Sequence, residues 1–185
     1  LYGGDDPLNL GVSQVLPDRY HAALRLMRFL IARGRRRIAY LGAALEKEPR
    51  FRAYSDALRE AGLPLSPIPF SPASDDSMRP GFRATEAYLK RHPETDGIFA
   101  HNDELALGAK RAIALAGYSI PDAIALAGFD NISTGAYLTP SLTTVDQPRK
   151  RITNALIAEL SASLENPDHH EFLSIPCRLV IREST

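Results

Sequence analysis

The stretch from Asp96 to Asn131, DGIFAHNDELALGAKRAIALAGYSIPDAIALAGFDN, constrains the fold more than any other part of the chain. Gly97-Ile-Phe-Ala100 is a short apolar run, as expected of a buried strand. His101-Asn102-Asp103 then sets polar side chains where a helix begins, with Asn102 or Asp103 as the N-cap. Leu105, Ala109, Ala112 and Ala116 recur at helical spacing and predict one apolar face. Gly117 ends that helix and Pro121 blocks its continuation. Ala123 to Ala127 reads as a second buried strand, leaving through Gly128-Phe-Asp-Asn131. Two successive strands therefore end in amide and carboxylate groups on one edge of a sheet. Open parallel sheets bind ligands outside the carboxyl ends of their strands, so Asn102 and Asp130 are the first candidates for ligand contact.

The same alternation extends both ways. A strand over Gly11 to Leu16 and a helix from Pro17-Asp18 to Ala32 come first. Ile38 to Leu41 follows as a strand, then a helix over Pro49 to Leu63 with Arg50 at its start. Leu65 to Phe70 carries two prolines and suits an edge strand. Gly81 to Arg91 is a helix. After the central stretch come a strand over Ser141 to Val145, a helix entered through Asp146-Gln147-Pro148, and a last strand over Phe172 to Ile181. Ile152, Leu156, Leu160 and Leu164 stripe the last helix and predict plain core packing. Strands alternating with helices mean an α/β fold with mostly parallel, doubly wound sheets.

Several function classes drop out. Lys plus Arg and Asp plus Glu are 22 each, so a neutral chain gives no ground for strong phosphate-backbone binding. Cys177 is the single cysteine and excludes an internal disulfide, which suits a cytoplasmic location. No apolar run approaches the roughly 20 residues that span a bilayer, and no membrane partner is expected. Arg33, Arg35, Arg36 and Arg37 around Gly34 could bind phosphate, but cations at a helix C-terminus are the simpler reading. Gly3-Gly-Asp-Asp6 lacks a flanking hairpin pattern, and His169-His170-Glu171 lacks partners at metal spacing. No G-x-G-x-x-G, P-loop or G-x-S-x-G occurs. Asp75-Asp76 and Glu46-Lys-Glu48 read as solvated carboxylate pairs. The chain is thus not expected to be an enzyme or to hold a metal or cofactor. What remains on strand-end loops is Arg50, Asn102, Asp130 and Gln147. Guanidinium, amide and carboxylate groups together match vicinal hydroxyls, which both donate and accept, so a sugar-like molecule fits.

HNDELALGAKRAIALAG, IPDAIALAGFDN, TPSLTTVDQP and the terminal LVIREST, in that order, resemble the effector-binding core of the lactose/galactose-repressor family of bacterial transcription regulators. ARGRRRIAYLG and EPRFRAYSDALREAGL fit the same pattern, with Ala22 and Ala53 where the family often has glycine. The resemblance implies a periplasmic-binding-protein-like type I fold, with two doubly wound subdomains joined by three crossings. It places residues 1–33 and 145–166 in an N-terminal subdomain that is incomplete here, and 34–143 with 173–185 in the C-terminal one. The crossings would fall near Gly34, Thr144–Asp146 and Asn166–Asp168.

By the same resemblance, effector contacts are Arg50, Asn102, Asp130 and Gln147, with Asp5, Pro17 and Asp76 on loops facing the cleft. It implies a homodimer with contacts from the Asp103–Ala116 helix and Tyr137-Leu138. It also implies operator DNA read through a helix-turn-helix that this chain lacks, so the chain is expected to be a fragment that does not bind operator by itself. The alternatives are a periplasmic sugar-binding protein of an ABC transporter and an enzyme on a flavodoxin-like fold.

Overall fold

The computed structural model describes residues 11–70 and 78–185. The first half of the chain forms β1 (Gln14–Asp18), α1 (Arg19–Ala32), β2 (Ile38–Leu41), α2 (Pro49–Glu60), β3 (Pro67–Ile68) and α3 (Met78–Leu89). The second half forms β4 (Gly97–Ala100), α4 (Asp103–Leu115), β5 (Ala125–Ala127), β6 (Thr144–Asp146), α5 (Arg149–Glu165), β7 (Phe172–Pro176) and β8 (Arg178–Val180). A short 3-10 helix, Ser133–Tyr137, lies between β5 and β6.

The centre is a four-stranded parallel sheet in the order β3-β2-β4-β5. β2, β4 and β5 are buried on both sides, as parallel strands covered by crossover helices are. The period of two decides which helix each residue meets. Ile38, Tyr40, Phe99, Ala125 and Ala127 join the core under α1 and α2. Ala39, Leu41, Ile98, Ala100 and Leu126 join the one under α3 and α4. Gly108 lets α3 and α4 approach closely: a Cβ there would lie 2.1 Å from the Met78 carbonyl oxygen. Tyr40 packs at 5.2–5.4 Å between ring centroids against Phe51, Tyr54 and Phe99, an aromatic floor beneath the β2 and β4 ends.

Local chemistry sets the helix starts that matter below. Asp18 accepts from the His21 amide, Glu48 from the Phe51 amide and Asn102 from the Leu105 amide, so α1, α2 and α4 each begin on a capping side chain. The cluster of arginines after α1 is structural: the Arg36 guanidinium donates to the Ile31 carbonyl, and Arg35 donates to the carbonyl of Pro121.

Four expectations are corrected. First, α1 packs with α2 against the four-stranded sheet, so residues 19–33 do not side with β1; the chain passes over at Asp18 rather than Gly34. Second, the strand expected over Phe172 to Ile181 is broken at Cys177. β7 runs parallel to β1, while β8 runs antiparallel to β6, so the chain changes sheets there and not at Asn166–Asp168. Residues 173–176 accordingly lie with β1. Third, α5 packs on β1 and β7, and of its stripe only Ile152 is buried; Leu160 and Leu164 are 62% and 77% exposed. Fourth, Ala116 is exposed and Ile113 takes the buried position in α4, because the helix ends at Leu115.

Candidate functional site

Helices α1, α2 and α5 each open with an arginine near the carboxyl ends of the strands. Arg19 is the first residue of α1, Arg50 the second of α2 and Arg149 the first of α5. Asp130, just past β5, is the group they share: the charges of Arg50, Arg149 and Arg19 all act on its carboxylate. Burial nevertheless dominates and pushes the Asp130 carboxyl above the usual carboxylate range. The Asp130 backbone has φ 115° and the next residue, Asn131, φ 52°. Two consecutive non-glycine residues in this region persist only where surrounding bonds impose them, at about 1–3 kcal/mol each.

Those bonds are visible. The Asp130 amide donates to the Val145 carbonyl at 2.9 Å, and the Gln147 side-chain amide donates to the Asp130 carboxylate. Asn131 donates through Nδ2 to Asp146 at 3.1 Å and accepts from Arg182 at 2.7 Å. Asp103, fully buried, accepts from the Thr144 hydroxyl at 2.6 Å and from the Ile132 amide at 2.9 Å. These bonds tie the start of α4, the Asp130 turn and β6 together. Gly128 is required in this clamp, since a Cβ would fall 2.1 Å from the Asp103 carboxylate.

Arg50 is held from three sides. Its Nε donates to Glu48 at 2.7 Å, its Nη1 to the His101 carbonyl at 3.2 Å, and its Cζ lies 5.2 Å from the Phe129 ring centroid. Glu48 also accepts from the Tyr40 hydroxyl at 3.1 Å and from the Phe51 amide at 2.8 Å. Burial pushes the Glu48 carboxyl up, but Arg50, His101 and these bonds outweigh it and hold it below the ordinary value. Glu48, buried, and Asp130, partly buried, are thus two carboxyls shifted in opposite directions. One is saturated with bonds from this protein. The other is left costly to ionise, as a group waiting for a donor-rich guest would be.

Residues 27–185 match the periplasmic binding protein-like domain family. The chain belongs to the periplasmic binding protein-like family. Within this family it is the effector-binding domain of the LacI type. A LacI-family transcriptional regulator from Sanguibacter keddieii has a solved structure that superposes with a TM-score of 0.85 at 34% identity, over 99% of this chain and 71% of that one. A LacI-family regulator from Enterococcus faecium, solved with bound ribose, superposes with a TM-score of 0.83 at 27% identity, over 98% of this chain and 68% of that one. The transcriptional regulator GntR of Escherichia coli (strain K12) is 34% identical over 139 residues, 73% of this chain. The match covers only 41% of GntR, so the chain spans less than half the length of that curated relative.

In this periplasmic binding protein-like domain the expected contacts sort as follows. Arg50, Asp130 and Gln147 come together from three separate strand ends. Asn102 follows His101, whose carbonyl accepts from Arg50, but its own side-chain oxygen is taken by the Leu105 amide at 2.8 Å, so its NH2 group is the part able to meet a guest. Pro17 is not on a loop: it is buried in β1, in register with Ile175. Asp5 and Asp76 lie outside the described residues.

Asp130, Asn131, Asp146, Gln147 and Arg149 line an open hollow of about 340 Å³. A hollow of about 420 Å³ lies elsewhere, between β1 and α5, and its lining is mostly apolar. Its polar pair, His169 and Glu159, bond each other at 2.9 Å, so the convergent polar chemistry belongs to the smaller one. Arg19 and Arg149 escaped the sequence reading, and Glu48 was misread as solvated when it is 8% exposed. The signal for Arg19 was present, since it follows the capping Asp18 much as Arg50 lies two residues after the capping Glu48. Among the described residues no cluster of three or more His, Cys, Asp or Glu could hold a metal ion. Among the same described residues no helix is long and apolar enough to cross a membrane.

Proposed function

We propose that this chain is the sensing part of a bacterial transcription regulator, a repressor, that binds a sugar-like small molecule and passes its occupancy to operator DNA. The observation that carries the reading is the Asp130 turn: a partly buried carboxylate, held with φ 115°, bonded by Gln147 and subject to the charge of Arg50. A carboxylate so placed accepts bidentate bonds from a pair of hydroxyls, while Arg50 and the Asn102 NH2 donate to their oxygens.

We assign one subdomain to the four-stranded sheet with α1–α4, and the other to β1, β7 and α5, with the effector between them. The connections at Asp18, Asp146 and Cys177 are then the hinge. A guest bridging Asp130 and Arg50 on one side to groups opposite them favours one hinge angle. In a homodimer joined through α4 and the 87% exposed Tyr137, that angle sets the spacing of helix-turn-helix heads carried elsewhere in the protein. Coupling of this kind is about 1–3 kcal/mol. The place of action is the cytoplasm, where operator DNA is. A periplasmic transport protein would use the same fold. The regulators among the relatives, GntR included, favour the sensor.

A thermal-shift screen of sugars, nucleosides and sugar phosphates on the complete protein tests this, since a ligand specific for the native state raises its melting temperature. Calorimetry on Asp130→Ala should show no binding of the hit, with an unchanged circular dichroism spectrum. Retained affinity removes Asp130 from the site.

A further inference from the structure

A guanidinium carries five N–H groups in a rigid fork, and its direction decides which of them a guest can use. At Arg50 part of the fork is spent inward. Nε donates to Glu48 Oε1 at 2.7 Å, and Nη1 donates to the His101 carbonyl at 3.2 Å. The guanidinium also lies over the Phe129 ring, with Cζ 5.2 Å from its centroid. Nη2 keeps both its hydrogens, and no acceptor among the described residues takes them. The charge of Arg50 acts on Asp130, so the open end of the fork belongs to the site already described.

What holds Arg50 is itself held. Glu48 Oε2 accepts from the Tyr40 hydroxyl at 3.1 Å and from the Phe51 amide at 2.8 Å. Capping α2 therefore takes only Oε2, while Oε1 serves Arg50. Glu48 thus does more than a helix start requires. The side chains of Arg50 and Glu48 are 11% and 9% exposed, so salt and water screen their bond little. Burial opposes ionisation of Glu48, but the charges of Arg50 and His101 and the bonds it accepts outweigh it. The bond to Nε is accordingly charge-assisted. A loose arginine must give up its rotamer freedom when a guest binds, and an arginine already fixed has little left to lose.

We propose that Glu48 is a positioning residue for effector recognition: its Oε1 fixes the Arg50 guanidinium before a guest arrives, so that Nη2 donates to an oxygen of that guest. Arg50 is the group that touches the guest, and Glu48 acts through it. This rests on the sugar-sensing reading above and deepens it. Glu48→Gln separates the two duties of the residue. The glutamine oxygen still accepts from the Phe51 amide and keeps the cap, while its NH2 meets the Arg50 Nε–H donor to donor.

The test is a double-mutant cycle on the complete protein. The parent, Glu48→Gln, Arg50→Gln and the double variant are titrated calorimetrically with D-ribose, D-glucose and D-galactose. Glu48→Gln should weaken the sugar that binds by about tenfold or more, the weight of a charge-assisted hydrogen bond. In the Arg50→Gln background the same change should alter affinity by less than about threefold, because the group it orients is gone. A purely structural Glu48 would cost the same in both backgrounds. Proton exchange at Arg50 Nε, followed by nitrogen NMR, gives a second reading without any sugar. It should quicken by about tenfold or more in Glu48→Gln. This reading also decides the matter if Arg50→Gln, which strands a buried Glu48 charge, fails to fold. Equal losses in both backgrounds, an affinity unchanged by Glu48→Gln, or an Nε proton that exchanges no faster each overturn the proposal. Arg50→Gln binding as tightly as the parent overturns it too and leaves the sensor standing. A parent that binds none of the three sugars overturns the sugar reading instead, and the exchange rate then decides the role of Glu48.

Discussion

Helices α4 and α5 carry the same kind of apolar repeat and meet different surroundings. In α4, Leu105, Ala109 and Ala112 are buried between the four-stranded sheet and α3, and the helix contributes to a closed core. In α5 the stripe begins buried at Ile152 and runs out into solvent at Leu160 and Leu164. The difference lies in what each helix is given to cover. Four strands with helices on both faces close around α4. Among the described residues the β1–β7 pair is only two strands wide, and α5 packs on it with most of its stripe left partly or fully exposed. An apolar period specifies a face, not the presence of a partner for it.

The comparison can be broken at several points. The largest expected effect is at Glu48→Ala on the closed side. It removes the α2 cap and leaves the half-buried Arg50 without its carboxylate, so urea unfolding should show a loss of about 3–5 kcal/mol. A loss under about 1 kcal/mol would mean that the Glu48–Arg50 pair does not hold that corner. Gly108→Ala comes next: the added methyl has no room against the start of α3, and about 1–3 kcal/mol should go. An unchanged melting temperature would show that α3 and α4 can slide apart freely.

Asp130→Asn tests the site by its pH dependence. An acid whose folded value is raised binds its proton more tightly when folded. Stability then falls as pH rises from 3.8 through the raised folded value, and the cost stays in full above it. In the absence of effector, Asp130→Asn should therefore be more stable than the parent at neutral pH. The gap should close as pH falls below the ordinary carboxylate range. A variant that is less stable at neutral pH would show that Gln147 and the arginines outweigh burial. The smallest effect is expected at Leu160→Ala in α5, within about 0.5 kcal/mol in this chain, as for most exposed positions. A loss of several kcal/mol, of the size expected for Leu105→Ala in α4, would erase the contrast between the helices.

Much of the site was legible from residue type and position. Asp130 and Gln147 stand just after strands and Arg50 opens the helix that follows one, where parallel sheets place ligand groups, and Asn102 caps the helix it was expected to cap. What escaped notice depends on non-local packing. Glu48 looks like one of two surface carboxylates around Lys47 until Tyr40 and Arg50 close over it. Arg149 and Arg19 look like ordinary helix-surface cations until Asp130 is brought between them.

The order of strands and helices, the polar strand exits and the capping residue of α4 follow from local chemistry, because periodicity and capping act over a few residues. The passing of α1 to the four-stranded sheet, the break at Cys177 and the exposure of α5 were decided only by the tertiary structure. Each depends on which surfaces are present to be covered, and burial is set by partners far apart in the chain.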